Sequence, residues 1–328
     1  MFLIRVNFAN NFILKQYKQS KNMKTKAIIM LCILLGFSAT MKGQEEQKSS
    51  GFYLRAGGGI IAQSGKTEFN NADPNGITMI QQSTDISTDG STVKVKSLNG
   101  TLGAGYKFNI TGGYMFNPYL GAELGINYFN GSKETIGKFT SPQLVSEEIA
   151  YIRGGVDLMP AIYITPAFKK VNPYARIGVI MTASGTLNIE TNVKQIDGGG
   201  SGTDILVNAK SEVKSKFSTG FAGAFGVTYP INNKLSLFGE VEFKNFSVKS
   251  KSASIKEYVT KAVTGNQSQL VPGQQLADLP TSEKEFLFTD NYTQSATTPI
   301  PENEPKKIPT QFVNISGAGI NIGIKYNL

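Results

Sequence analysis

From Leu102 the even positions read Leu102, Ala104, Tyr106, Phe108, Ile110, Gly112, Tyr114 and Phe116, and the odd ones read Gly103, Gly105, Lys107, Asn109, Thr111 and Gly113. A repeat of two puts each set on its own face of a β-strand, here one apolar and one polar or tiny. About 15 residues of unbroken alternation exceed the usual strand of five or six. A tilted strand that crosses a bilayer needs about 9–11 residues, so long alternating strands fit a membrane better than a soluble core.

The pattern recurs along the chain. After Asn117-Pro118 come Leu120, Ala122, Leu124, Ile126 and Tyr128, with Gly121, Glu123, Gly125 and Asn127 opposite. A second pair reads Ala150, Ile152, Gly154, Val156, Leu158 and Ile162, then Ala175, Ile177, Val179, Met181 and Ala183, joined by a turn at Phe168–Asn172. A third reads Phe217, Phe221, Phe225, Val227 and Tyr229, a turn at Asn232-Asn233-Lys234, then Leu235, Leu237, Val241 and Phe243. Phe52, Leu54, Ala56 and Ile60 open the set, and Ile320, Ile322, Ile324, Tyr326 and Leu328 close it.

Connection lengths alternate as well. Short turns at about 116–118, 166–172 and 230–234 alternate with long polar segments at about 63–97, 130–147, 188–213 and 249–310. No run after Gln44 holds 18 consecutive apolar residues, which excludes helical spans. Lipid offers the backbone no hydrogen-bond partner, so spanning strands must close on themselves. The expected fold is all-β: an eight-stranded antiparallel up-and-down transmembrane β-barrel, with short periplasmic turns and four long external loops. Six prolines fall in 249–310, which argues against central strand pairing there. A two-strand extension within Ser252 to Val263 leaves a ten-stranded barrel as the alternative count.

The first 43 residues carry Arg5, Lys15, Lys18, Lys21, Lys24, Lys26 and Lys42 and no acidic residue. Residues 23–43 read as a signal peptide, with Lys24 and Lys26 before the apolar run Ala27 to Phe37, and residues 1–22 as an upstream extension. Cleavage is expected before Gln44, with a cut after Ala39 as the alternative, leaving 44–328 as the barrel domain. Removing those residues takes 7 of the 33 Lys+Arg, leaving 26 against 24 Asp+Glu. A mature charge near +2 without a clustered basic surface gives no case for nucleic acid as a partner. Cys32 is the single cysteine and sits inside the apolar run.

Eight strands enclose a lumen that side chains can fill. Arg55, Lys107, Arg153, Arg176, Lys244 and Lys325, with Glu123, Asp157, Glu240 and Glu242, are the candidates for an internal ion-pair network. Tyr114, Phe116, Tyr229 and Tyr326, at strand ends near the short turns, are the candidate periplasmic aromatic girdle.

These residues resemble a known family: small outer-membrane β-barrel proteins of the Bacteroidetes, related to the OmpA-type transmembrane domain. The likeness rests on the signal peptide ending near Gln44, on the hairpin from Gly103-Ala-Gly-Tyr-Lys-Phe to Asn117-Pro-Tyr-Leu-Gly-Ala-Glu-Leu-Gly, and on the closing Ile-Asn-Ile-Gly-Ile-Lys-Tyr-Asn-Leu328. The resemblance implies an integral outer-membrane location and membrane lipid as the surroundings. It implies that Ile320, Ile322, Ile324, Tyr326 and Leu328 form the signal read by the barrel assembly machinery, although Leu328 stands where many such proteins end on Phe. A periplasmic peptidoglycan-binding domain is not expected, since nothing follows the last strand.

Several small barrels of similar architecture are enzymes that rely on a histidine, and this chain has none. With no cysteine outside the leader, Ser-His, Asp-His and Cys-His arrangements are excluded and no enzyme is expected. Gly199-Gly-Ser-Gly-Thr-Asp204 matches half a turn of a calcium-binding β-helix repeat, but a single copy reads better as a flexible loop. No metal or other cofactor is expected. Recognition of a surface ligand or envelope protein would fall to the long loops, where Ile77, Met79 and Ile80 are isolated apolar residues. The leading expectation is a non-enzymatic structural or surface-interaction role. The alternatives are narrow or gated transport of small solutes or ions, and a soluble periplasmic sandwich.

Overall fold

The computed structural model describes residues 50–65, 67–68, 82–293 and 299–328. The leader, Cys32, Ile77, Met79 and Ile80 lie outside the described residues.

Eight strands form a closed ring of antiparallel pairings. They are β1 (Gly51–Gln63), β2 (Gly105–Met115), β3 (Leu120–Gly131), β4 (Leu144–Ile164), β5 (Asn172–Gly200), β6 (Thr219–Pro230), β7 (Leu235–Asn245) and β8 (Gly317–Asn327). Each pairs with the next, and β8 returns to β1 from Tyr53↔Asn327 to Gln63↔Gly317. Neither sheet edge is left open at this level, and the ten-stranded count is not realised. The apolar face of the alternation points outward: Ile60, Ile110, Ile177, Phe221 and Ile322 are each more than 60 % exposed.

The three short turns share one end with the start of β1 and the finish of β8. Two use the same device. Asn117 Oδ1 accepts the Tyr119 and Leu120 amides, and Asn232 Oδ1 accepts the Lys234 and Leu235 amides. An Asn side chain that mimics the backbone in this way favours a tight reversal.

At the other end the expected loops are mostly sheet. β5 runs for 29 residues, about 95 Å of extended chain at roughly 3.3 Å per residue. That is far more than a bilayer requires. Thr203–Ser215 pairs with its distal half, Ser247–Thr264 with that strand in turn, and Gln267–Gln275 and Glu285–Thr289 with Ser247–Thr264. On the opposite side Glu134–Thr140 pairs with β4. The projecting sheet has its own small core of Val213, Phe288 and Ile308. The 249–310 segment is therefore strand-rich, and its paired prolines keep to permissive places: Pro272 lies at a register break and Pro309 ends an edge strand. Gly199–Asp204 is likewise an ordered reversal, in which Asp204 accepts the Asp197 amide and pairs with Lys194.

The strict alternation also fails at one level of the wall. Gly154 adopts φ +60, a left-handed conformation that glycine takes without steric cost. The resulting irregularity inverts the faces of β4 beyond it, so Ala150 is buried and Ile152 packs inward, not toward lipid. β5 shows register shifts at the same height, around Ser184. Leu102, expected on an outward face, precedes β2 and is buried in the apolar cluster of Ile136, Ala150, Ile180, Phe246 and Ile315.

Candidate functional site in the barrel lumen

The inward face of the ring holds a square of charges. Arg55 from β1, Glu123 from β3, Arg176 from β5 and Glu240 from β7 come from alternate strands and meet on the barrel axis. Each arginine bonds both carboxylates: Arg55 reaches Glu123 at 3.1 Å and Glu240 at 2.9 Å, and Arg176 reaches them at 3.1 and 2.5 Å. All four side chains are 3 % exposed or less. Carboxylates so enclosed are costly unless their remaining hydrogen-bond capacity is used. Tyr53 donates to Glu123 at 2.8 Å, and Tyr174 and Asn321 donate to Glu240 at 2.7 and 2.9 Å.

An aromatic layer lies toward the short turns. Tyr163 stacks on Tyr174 with centroids 4.9 Å apart, and Tyr53, Met115 and Phe238 complete the cluster. The Arg55 guanidinium sits 4.1 Å from the Phe238 ring centroid. Lys325 rests over Tyr53 at 3.9 Å. This layer needs room that glycine provides: a Cβ on Gly113 would lie 2.2 Å from the Tyr53 ring.

Toward the long hairpins a second polar layer follows. Lys107 pairs with Glu242, Asn127 donates to Asp157 at 2.5 Å, and Lys244 lies 4.0 Å from the Phe129 ring centroid. Above these the apolar cluster around Phe246 and Ile315 fills the lumen. A cavity of about 50 Å³ remains at the irregular seam, beside Phe129, Asp157, Leu187 and Lys244. At about 10–15 Å³ per water it has room for a few waters, well below the roughly 300–1,000 Å³ of a small-molecule site.

The fold brings nine of the ten lumen candidates inside. Arg153 is the exception, since it lies exposed beyond the Gly154 irregularity that turns its face outward. Five cations then face four carboxylates. Sequence reasoning missed Tyr53, Tyr174, Phe238 and Asn321, although each shares the inward parity of a lumen candidate on its own strand. The expected girdle residues Tyr114, Phe116, Tyr229 and Tyr326 are all exposed on the outer wall at the short-turn end. Phe52, with its ring centroid 4.7 Å from that of Tyr114, belongs with them. Ile320, Ile322, Ile324, Tyr326 and Leu328 are exposed along the outer face of the closing strand and its end. Among the described residues no group of three His, Cys, Asp or Glu could hold a metal ion.

Residues 29–270 match the family described as the outer membrane protein beta-barrel domain. The chain belongs to this outer-membrane β-barrel family. Its apolar outer wall is thus the surface that meets lipid. The barrel is similar to two solved structures, the outer membrane protein OprG from Pseudomonas aeruginosa and outer membrane protein W of E. coli. Each is 14 % identical and aligns with 86 % of this chain, over 98 % and 100 % of its own length, with TM-scores of 0.39 and 0.28. The assignment rests on the family match. No curated protein matches the chain.

Proposed function

We propose that this outer-membrane barrel is non-enzymatic, keeps its lumen closed and acts through the sheet that projects from its long-hairpin end. The observation that carries this reading is the Arg55–Glu123–Arg176–Glu240 square, which spans the lumen with buried ion pairs in both directions. Solute passage would have to break four of them. Their carboxylates are saturated by arginine and so are poorly placed for acid–base work, and no histidine exists to take that role.

In the orientation that accompanies this reading, the short turns lie in the periplasm and the projecting sheet outside, after export by a cleaved signal peptide at 23–43. Affiliation with OmpA-type barrels of the Bacteroidetes is supported by the hairpin and closing-strand motifs. The apolar outer face of that strand also suits recognition by the barrel assembly machinery. The partner class for the projecting sheet is a surface ligand or another envelope protein.

A second reading, narrow or gated passage of ions or small solutes, is favoured by Lys325. It rests on Tyr53 and Tyr163 rings beside the square and offers Glu123 an alternative cation. Single-channel recording in planar bilayers separates the two. A silent membrane is expected, and steady unitary openings would overturn the closed-lumen reading.

A further inference from the structure

The two ends of the barrel differ in charge. Toward the long hairpins lysines meet carboxylates: Lys133 pairs with Glu190, Lys194 with Asp204, Lys210 with Glu257 and Lys249 with Asp290. The short turns contain Lys169, Lys170 and Lys234 and no Asp or Glu.

Lys234 is held in a defined place. Its amide donates to Asn232 Oδ1 at 2.9 Å, and its carbonyl accepts the Asn327 amide at 2.8 Å, which ties the turn to the closing strand. Leu235 stands directly opposite Tyr326 in the β7–β8 pairing, so both belong to the outer wall. The Lys234 ammonium lies 6.0 Å from the Tyr326 ring centroid, over this outer rim and away from the lumen. Asn232, Asn233, Lys234, Leu235 and Tyr326 together line an open cleft of about 470 Å³.

We infer that this cleft binds the headgroup phosphate of an anionic phospholipid in the leaflet at the short-turn end. Tyr326 belongs to the aromatic girdle, and girdle aromatics mark headgroup depth. A cation beside it stands where lipid phosphates are. Lys234 supplies the opposite charge, the polar residues Asn232 and Asn233 are part of the lining, and Leu235 and Tyr326 offer an apolar wall to the glycerol and first acyl carbons. The site requires the outer wall to face lipid, which the family establishes, and holds whichever side of the membrane the short turns occupy.

Native mass spectrometry of the full-length detergent-purified barrel, titrated with phosphatidylglycerol and with phosphatidylcholine, tests the inference. Wild-type protein is expected to retain the anionic lipid preferentially. Lys234→Gln is expected to weaken that retention about fivefold, the equivalent of about 1 kcal/mol per lysine at an anionic surface. Lys234→Arg is expected to preserve it. Equal retention of the two lipids by wild-type protein overturns the proposal without recourse to any variant, and so does wild-type retention by a Lys234→Gln protein that still shows the heat-dependent gel shift of a folded barrel. Displacement of phosphatidylglycerol by equimolar inorganic phosphate would also overturn it, since the site would then be one for a free anion.

Discussion

Arg176 and Glu240 are bonded twice: Nη2 lies 2.5 Å from Oε1, and Nε lies 3.1 Å from Oε2. The two residues come from β5 and β7, with β6 between them, so the contact spans the lumen and does not run along a ladder. Removing one side of such a pair leaves an enclosed charge without its partner, at a cost of about 3–5 kcal/mol. Glu240→Ala is accordingly expected to lower stability by that order, read as a lower temperature for the heat-dependent gel shift. A change below about 1 kcal/mol, typical of exposed pairs, would mean that water reaches the square.

Gly113 should not tolerate a side chain. Because an added Cβ would sit 2.2 Å from the Tyr53 ring, Gly113→Val has to displace that ring from its bond to Glu123. Overpacking of this kind costs about 1–3 kcal/mol. Denaturant unfolding of the folded barrel measures it, with Gly112→Val as the control, since only the tip of Leu54 lies near that outward position.

A cysteine at position 153 is expected to react rapidly with a bulky polar maleimide on the native protein, since Arg153 is exposed. One at position 107 should react only after unfolding, because Lys107 is 7 % exposed inside the barrel. Equal rates at the two positions would remove the face inversion at Gly154.

Outside the bilayer, Glu190 accepts Lys133 at 2.7 Å and Tyr151 at 3.0 Å. These bonds, Lys133 foremost, hold its carboxyl below the usual carboxylate range. A depressed folded value stabilises the structure above the unfolded value of about 4.3, and the gain is lost as pH falls through the folded value. The effect is small because Lys133 is well exposed. The hydrogen-exchange protection factors of the Glu134–Thr140 amides, taken relative to the intrinsic rate at each pH, are expected to fall below about pH 4. Glu190→Gln should abolish this extra acid sensitivity, and an unchanged acid response in that variant would assign it to another group.

Ile110 is 64 % exposed midway along β2. Ile110→Arg is expected to cost about 2–4 kcal/mol in lipid, as a charge near the bilayer midplane does. Urea unfolding in phospholipid vesicles measures it. A neutral result would place this face in water.

The eight spanning strands, their outward faces below the Gly154 irregularity and their three short turns were legible in the sequence. Residues that face uniform lipid on one side must alternate, and the short turns carry their own Asn side-chain chemistry. Nine of the ten lumen charges followed from the same parity, and so, in retrospect, could Tyr53, Tyr174, Phe238 and Asn321. Parity says which side of the wall a residue faces but not what stands opposite. Only closure of the ring brought Arg55, Glu123, Arg176 and Glu240 from four alternate strands onto one level, since that height depends on the stagger of all eight. The position of Arg153 was likewise a tertiary matter, because one left-handed glycine shifts the faces of everything beyond it. The 249–310 segment looked like loop because its sheet lies outside the membrane, where most residues on both faces stay polar and only a few, such as Phe288 and Ile308, face a small core. Its strands exist because β5 continues past the barrel and carries Thr203–Ser215 on its edge, which in turn offers the edge on which Ser247–Thr264 and then the later strands pair.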